Sequence, residues 1–126
     1  MSYLEKWFDF NRRQKEIESL LEETVANQSE QRLTLKEFYL LYYLDLAQEK
    51  SLRQIDLPDK LHLSPSAVSR MVARLEEKNC GLLSRRCCDQ DRRASFICLT
   101  DEGQTTLAYL QKVIEERLEM NLDFIS

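Results

Sequence analysis

The chain has only two prolines, and each falls just behind a residue that starts a helix. Proline fixes φ and has no amide hydrogen to donate, so a helix tolerates it only in its first turn. Asp56-Leu57-Pro58 therefore starts one helix, and Leu63-Ser64-Pro65, with Ser64 as N-cap and Pro65 as first helical residue, starts another. Between the two starts there is room for a helix of about two turns, residues 57–61. Two helices joined by so tight a turn make a helix-turn-helix, and the rest of the chain has to be built around that pair.

The second helix of the pair is predicted over residues 65–78. Val68, Val72 and Leu75 share one face with Met71 beside them, and this face is expected to be buried. The opposite side carries Ser66, Ser69, Arg70, Ala73 and Arg74, small or hydroxylated residues with two guanidiniums. Such a surface is shaped for a groove rather than for water alone.

The flanking segments are mostly helical in pattern. Residues 2–27 contain no Gly or Pro, and Leu4, Trp7, Phe8, Ile17, Leu20, Leu21 and Val25 recur at helical spacing. Residues 11–16 are polar throughout, so this is either one solvated helix or two helices meeting there. Thr34 and Glu37 have capping-box spacing ahead of a run in which Phe38, Leu41, Tyr42 and Leu46, but also Leu40, Tyr43 and Leu44, are apolar. A helix apolar nearly all round belongs at the centre of the fold. Residues 51–55 form a short stretch that ends at the Asp56 start signal. After Gly81, residues 83–88 and 94–99 read as a two-stranded hairpin with a charged tip, Asp89-Gln90-Asp91-Arg92-Arg93. Thr100 then caps a last helix whose stripe of Leu107, Leu110, Ile114, Leu118, Leu122 and Ile125 runs for about seven turns, past any core a chain of this size builds. Its far end wants a partner, most simply a second copy of the chain.

At 126 residues the chain is one domain's worth, and no internal repeat or flexible linker divides it. The net charge of −4 argues, taken whole, against binding nucleic acid by bulk attraction. Resolved along the chain it says something else. Residues 51–100 hold nine basic and six acidic side chains, a net of +3, which leaves −7 for the remainder. The helix-turn-helix and hairpin form a basic zone on an acidic body. Charged residues interrupt the apolar ones near the start, so no signal peptide is expected, and no apolar run nears the ~20 residues of a membrane span. Cys80, Cys87, Cys88 and Cys98 are clustered rather than spread as staples. A reduced, cytoplasmic protein with no membrane association is expected.

Leu61-His62-Leu63-Ser64-Pro65-Ser66-Ala67-Val68-Ser69-Arg70, Leu75-Glu76-Glu77-Lys78, Ser84-Arg85-Arg86, Asp91-Arg92-Arg93 and Leu99-Thr100-Asp101-Glu102-Gly103 follow one another in an order and spacing that resembles the MarR family of bacterial winged helix-turn-helix regulators. The resemblance implies a mainly α fold with a small β-hairpin. Residues 33–100 would be the winged DNA-binding core of a single domain, and residues 1–28 and 101–126 the helices of a homodimer. It further implies a sequence-specific transcriptional regulator, most simply a repressor, on a pseudo-palindromic operator of double-stranded DNA. Ser64, Ser66, Ser69, Arg70 and Arg74 would serve the major groove, and the wing residues Arg85, Arg86, Asp91, Arg92 and Arg93 the minor groove, with Asp91 orienting one of the last two arginines. Leu4, Trp7, Phe8, Leu110, Ile114, Leu118 and Leu122 would form the dimer contact. Family members often bind small aromatic or lipophilic effectors, for which Tyr39, Tyr42, Tyr43 and Trp7 are candidate lining residues. The glycine that usually follows the Leu-Glu-Glu-Lys stretch is displaced by Asn79-Cys80, which bears on the angle of the wing. The C-terminus is short, as in compact SarA-like members, so a reduced dimer interface is expected.

Two rival readings are a thiol- or ligand-responsive sensor using Cys80, Cys87, Cys88 and Cys98, and a winged-helix protein-interaction module that does not bind DNA. Buried apolar cysteines are the more ordinary reading of the cluster. His62, the only histidine, is expected at a helix end rather than on a metal. With no Gly-rich phosphate loop and no nucleophile motif, neither an enzyme nor a cofactor is expected.

Overall fold

The computed structural model describes residues 2–76, 79–85 and 96–122. In chain order the elements are α1 (Tyr3–Gln28), α2 (Leu35–Leu46), β1 (Ser51–Arg53), α3 (Leu57–Leu61), α4 (Pro65–Leu75), β2 (Leu83–Ser84), β3 (Phe96–Leu99) and α5 (Asp101–Asn121), with a single 3-10 turn on each side of β1.

α1 is one continuous helix through its polar middle. Arg12 bridges Asp9 and Glu16 at 2.9 Å each, and Arg13 reaches Asp9 at 3.2 Å. These three- and four-residue ion pairs support helix where the apolar stripe lapses. Burial is confined to its second half, at Leu21, Thr24 and Val25. Ser29 then turns the chain, accepting from the Leu33 amide at 2.8 Å and donating to the Val25 carbonyl at 2.6 Å. α2 opens on the expected capping box at Thr34 and Glu37, and six of its twelve residues are buried.

The sheet departs from expectation. The short stretch 51–55, where no strand is expected from the sequence, contributes β1 (Ser51–Arg53), and the sheet has three antiparallel strands in the order β1-β3-β2. Ser51, Leu52 and Arg53 pair with Cys98, Ile97 and Phe96. Three residues are too few to show an alternation, and the strand exists because β3 offers it an edge. The tip expected for the hairpin lies outside the described residues.

α4 ends at Leu75, three residues before the predicted end. Glu76 turns extended, the Asn79 side chain donates to the Ala73 carbonyl at 2.7 Å, and the Gly81 and Leu82 amides bond back to Glu76 and Leu75 at 3.0 Å each. Gly81 takes φ +75, a left-handed value that costs other residues more. Asn79 and Cys80 therefore sit in the turn that closes α4.

Leu110 and Ile114, expected in a dimer contact, belong to the chain's own core at 0% and 5% exposure. The α5 stripe is spent internally as far as Ile114 because α1 and α2 both pack on it, and Leu118 lies partly buried at the edge of that cluster. Thr100 joins α5 to the sheet, accepting from the Gly103 amide at 2.9 Å and donating to the Gly81 carbonyl at 2.7 Å. At Gly103 the backbone of the preceding segment passes so close that an added Cβ would stand 2.3 Å from the Leu82 carbonyl oxygen. Gly103→Ala should lower the free energy of urea unfolding by about 1–3 kcal/mol, the usual range for overpacking, although alanine is the better helix former; unchanged stability would show that α5 sits further from β2 than described.

Candidate nucleic-acid interface

The helix-turn-helix forms as its start signals require. α3 carries Pro58 in its first turn and ends at His62, whose φ of +54 turns the chain left-handed, while Lys36 Nζ donates to the Leu61 carbonyl at 2.6 Å. Asp56 does not cap α3 with its side chain and instead meets Arg53 at 3.4 Å. Ser64 accepts from the Ala67 amide at 3.1 Å and so caps α4. Val68, Val72 and Leu75 are buried, which leaves Ser66, Ser69, Arg70 and Ala73 exposed on the outer side. Among the described residues Arg70 has no hydrogen-bond or ion-pair partner. An exposed guanidinium beside hydroxyls on a capped helix suits phosphate or a guanine edge.

The expectation that Arg74 faces outward with Arg70 is not met. Four residues on is about 40° round the helix, enough to reach the flank of α4. There the guanidinium turns into the chain. One terminal nitrogen donates to the Gln31 carbonyl at 2.8 Å and the Arg32 carbonyl at 3.2 Å, Nε lies 3.4 Å from Glu37 Oε2, and the other terminal nitrogen is 3.6 Å from Cys80 Sγ. Glu37 is 3% exposed. Sequence reasoning assigned Glu37 to the capping box alone, and nothing in its spacing from residue 74 signals the ion pair.

Beside α4 a second polar chain forms. Arg85 bonds the Glu76 carboxylate and donates to Gln54 Oε1 at 2.8 Å, and Gln54 Nε2 donates to Ser69 Oγ at 3.1 Å. The base of the wing, the end of β1 and the outer face of α4 are thereby linked. Gln54 and Glu76 were not anticipated, since isolated polar residues carry no periodic signal. Arg86, Asp91, Arg92 and Arg93 lie outside the described residues, as do Cys87 and Cys88.

Cys80 is a free thiol, half-buried next to Arg74. Cys98 is buried on β3 and disulfide-bonded, so the expectation of a reduced cysteine cluster does not hold for it. Among the described residues no group of His, Cys, Asp and Glu is arranged to hold a metal ion, and no helix is long and apolar enough to cross a membrane.

α1, α2 and α5 line a half-open pocket of about 380 Å³ formed by Leu21, Phe38, Tyr39, Tyr42, Tyr43, Gln111, Ile114, Glu115 and Leu118. The three expected tyrosines are present. Trp7 is not; it stands 57% exposed near the start of α1, its ring stacked on Phe10 at 6.4 Å. Burial, and then the nearby Glu18 carboxylate, pushes the Tyr39 phenol above its ordinary value, so it remains a neutral hydroxyl at physiological pH.

Over 81 residues, 64% of this chain and 50% of the other, the sequence is 33% identical to the HTH-type transcriptional repressor MdtR of Bacillus subtilis. The chain spans about half the length of the curated relatives it matches. Among solved structures it is similar to AbsC, a MarR family transcriptional regulator from Streptomyces coelicolor, with a TM-score of 0.82 at 22% identity over 100% of this chain and 83% of that one. It is also similar to the transcriptional repressor CouR, solved bound to a 23-mer DNA duplex, with a TM-score of 0.74 at 28% identity over 91% of this chain and 76% of that one. The MarR family model matches residues 33–95, half of the sequence and the whole stretch from the α2 cap to the wing, and the chain belongs to that family.

Proposed function

We propose that this protein is a sequence-specific, double-stranded-DNA-binding transcriptional regulator that acts as a homodimer, most simply as a repressor. The observation that carries this reading is the outer face of α4, where Arg70, without a partner among the described residues, is exposed beside Ser66 and Ser69 on a helix whose N-terminus is capped. The helix lies in the major groove, and Arg92 or Arg93 of the wing reaches the adjacent minor groove, where a guanidinium reads groove shape more than base identity. The similarity to MdtR and CouR supports the same assignment. Attraction is local to the basic zone, and the acidic body resists nonspecific coating.

Dimerisation uses the part of the chain that its own core leaves bare. Tyr3, Leu4, Trp7 and Phe8 are exposed at one end of α1, and Met120 is exposed near the end of α5. Large apolar side chains exposed in sequence at the start of α1 mark an interface. Leu118 and Leu122 extend it along α5. Two heads related by a two-fold require half-sites about one helical turn, ~34 Å, or a multiple of it apart. The pocket beneath α2 serves a small aromatic or lipophilic effector. With Glu115 in its wall and Glu18 and Glu22 near Tyr39, it favours a neutral or cationic molecule over an aromatic carboxylate.

Selection from random duplexes at near-physiological salt should enrich a pseudo-palindrome. Arg70→Ala should weaken binding to it by about 1–3 kcal/mol and relax preference at one position in each half-site. Recovery of no two-fold site, or binding indifferent to salt, would favour the protein-interaction reading instead. In sedimentation, Trp7→Glu with Phe8→Glu should convert a dimer to a monomer, and a wild-type chain that sediments as a monomer at micromolar concentration would refute the dimer.

A further inference from the structure

Arg74 is the one guanidinium of α4 with partners among the described residues, and apart from Cys80 Sγ at 3.6 Å these come from a single place, the corner between α1 and α2. Arg32 holds a left-handed φ of +52 there, with its amide bonded to the Ser29 carbonyl at 3.1 Å. The Gln31 and Arg32 carbonyls meet the same terminal nitrogen of Arg74, and Glu37, one turn into α2, meets Nε. Glu37 is itself fixed, because its other oxygen accepts from the Thr34 amide at 2.8 Å. The planar guanidinium thus joins two carbonyls and a carboxylate whose positions are set by other bonds.

Elsewhere α4 is held by packing and by two hydrogen bonds at exposed positions, from Gln54 to Ser69 Oγ at 3.1 Å and from Asn79 to the Ala73 carbonyl at 2.7 Å. Val68, Val72 and Leu75 pack by apolar contact, which is non-directional and tolerates small rotations about the helix axis. A turn of ~20° displaces a side chain carried ~6 Å from the axis by ~2 Å, enough to break a hydrogen bond made at its tip. Arg70, one turn before Arg74 on the same helix, is the residue whose aim such a turn would spoil.

We infer that Arg74 is a positioning residue for the recognition helix. Through Glu37 and the Gln31 and Arg32 carbonyls it fixes the rotation of α4 and so aims Arg70, and it does not itself contact DNA. The inference rests on the DNA-binding reading above and goes beyond it in giving one of the two recognition-helix arginines to the protein rather than the groove.

The test measures affinity and its salt dependence for the duplex recovered by selection, on protein shown by circular dichroism to be folded, with Arg74→Ala, Arg74→Lys, Glu37→Gln and the double variant Glu37→Gln/Arg74→Ala. Each single variant should bind about tenfold more weakly with the wild-type salt slope, and the double variant should be no weaker than Arg74→Ala alone. Lysine should not rescue, because a point charge cannot span the three acceptors. A salt slope reduced by about 1 in Arg74→Ala, with rescue by lysine and a silent Glu37→Gln, would make Arg74 a phosphate contact and overturn the inference. Variants that unfold more readily yet bind with wild-type affinity when folded would overturn it too. Should Arg74→Ala fail to fold, Glu37→Gln and Arg74→Lys decide. If the wild-type protein itself retains no selected duplex, the DNA-binding reading fails first, before any substitution is made.

Discussion

The carboxylate of Glu37 is the group on which most of this structure depends. It lies at the N-terminus of the central helix, where unpaired amides and the helix dipole favour negative charge, and Glu22 of α1 adds a second carboxylate oxygen there by accepting from the Leu35 amide at 3.0 Å. A carboxylate this deeply buried is stable only if both oxygens are used. One closes the capping box and the other meets Arg74, which stays partly exposed, so the pair is not wholly withdrawn from water. Through this group α2 and α4 are tied by an ion pair as well as by packing, while Glu22 ties α1 to the start of α2.

What could be read in the sequence was local. The caps at Thr34, Ser64 and Thr100 and the two helix-starting prolines act within a few residues of themselves, and each appears where its chemistry puts it. What could not be read depended on partners far along the chain. β1 needs β3, 45 residues away in pairing, to exist as a strand. Arg74 points inward because a corner 42 and 43 residues earlier presents carbonyls to it. Leu110 and Ile114 continue the same stripe as Leu118, and periodicity cannot mark where an internal neighbour stops covering it. On the candidate interface the outward residues of α4 were legible from the helical repeat, whereas Gln54 and Glu76, which tie it to the wing, were not.

The pocket and the Arg74–Glu37 ion pair share α2. Phe38 and Tyr39, which line the pocket, follow Glu37 directly in the chain. A helix half of whose residues are buried moves as a body rather than bending locally, because close-packed interiors have few graded positions available. A molecule that fits one arrangement of α2 better than another therefore acts on the carboxylate that holds α4, and the size of the response is limited by the difference in its two affinities.

The bare first half of α1 has a consequence of another kind. About fourteen residues of it stand clear of the core, a length at which an isolated helix is marginal in water even with favourable ion pairs. The Arg12 and Arg13 pairs with Asp9 and Glu16 keep it wound, but each is an exposed contact of small worth that salt weakens. Order in this segment is then coupled to whatever covers Leu4, Trp7 and Phe8. Where the cover is another copy of the chain, melting at this end follows the law of mass action, and the temperature at which the helix frays rises with the amount of protein in the tube.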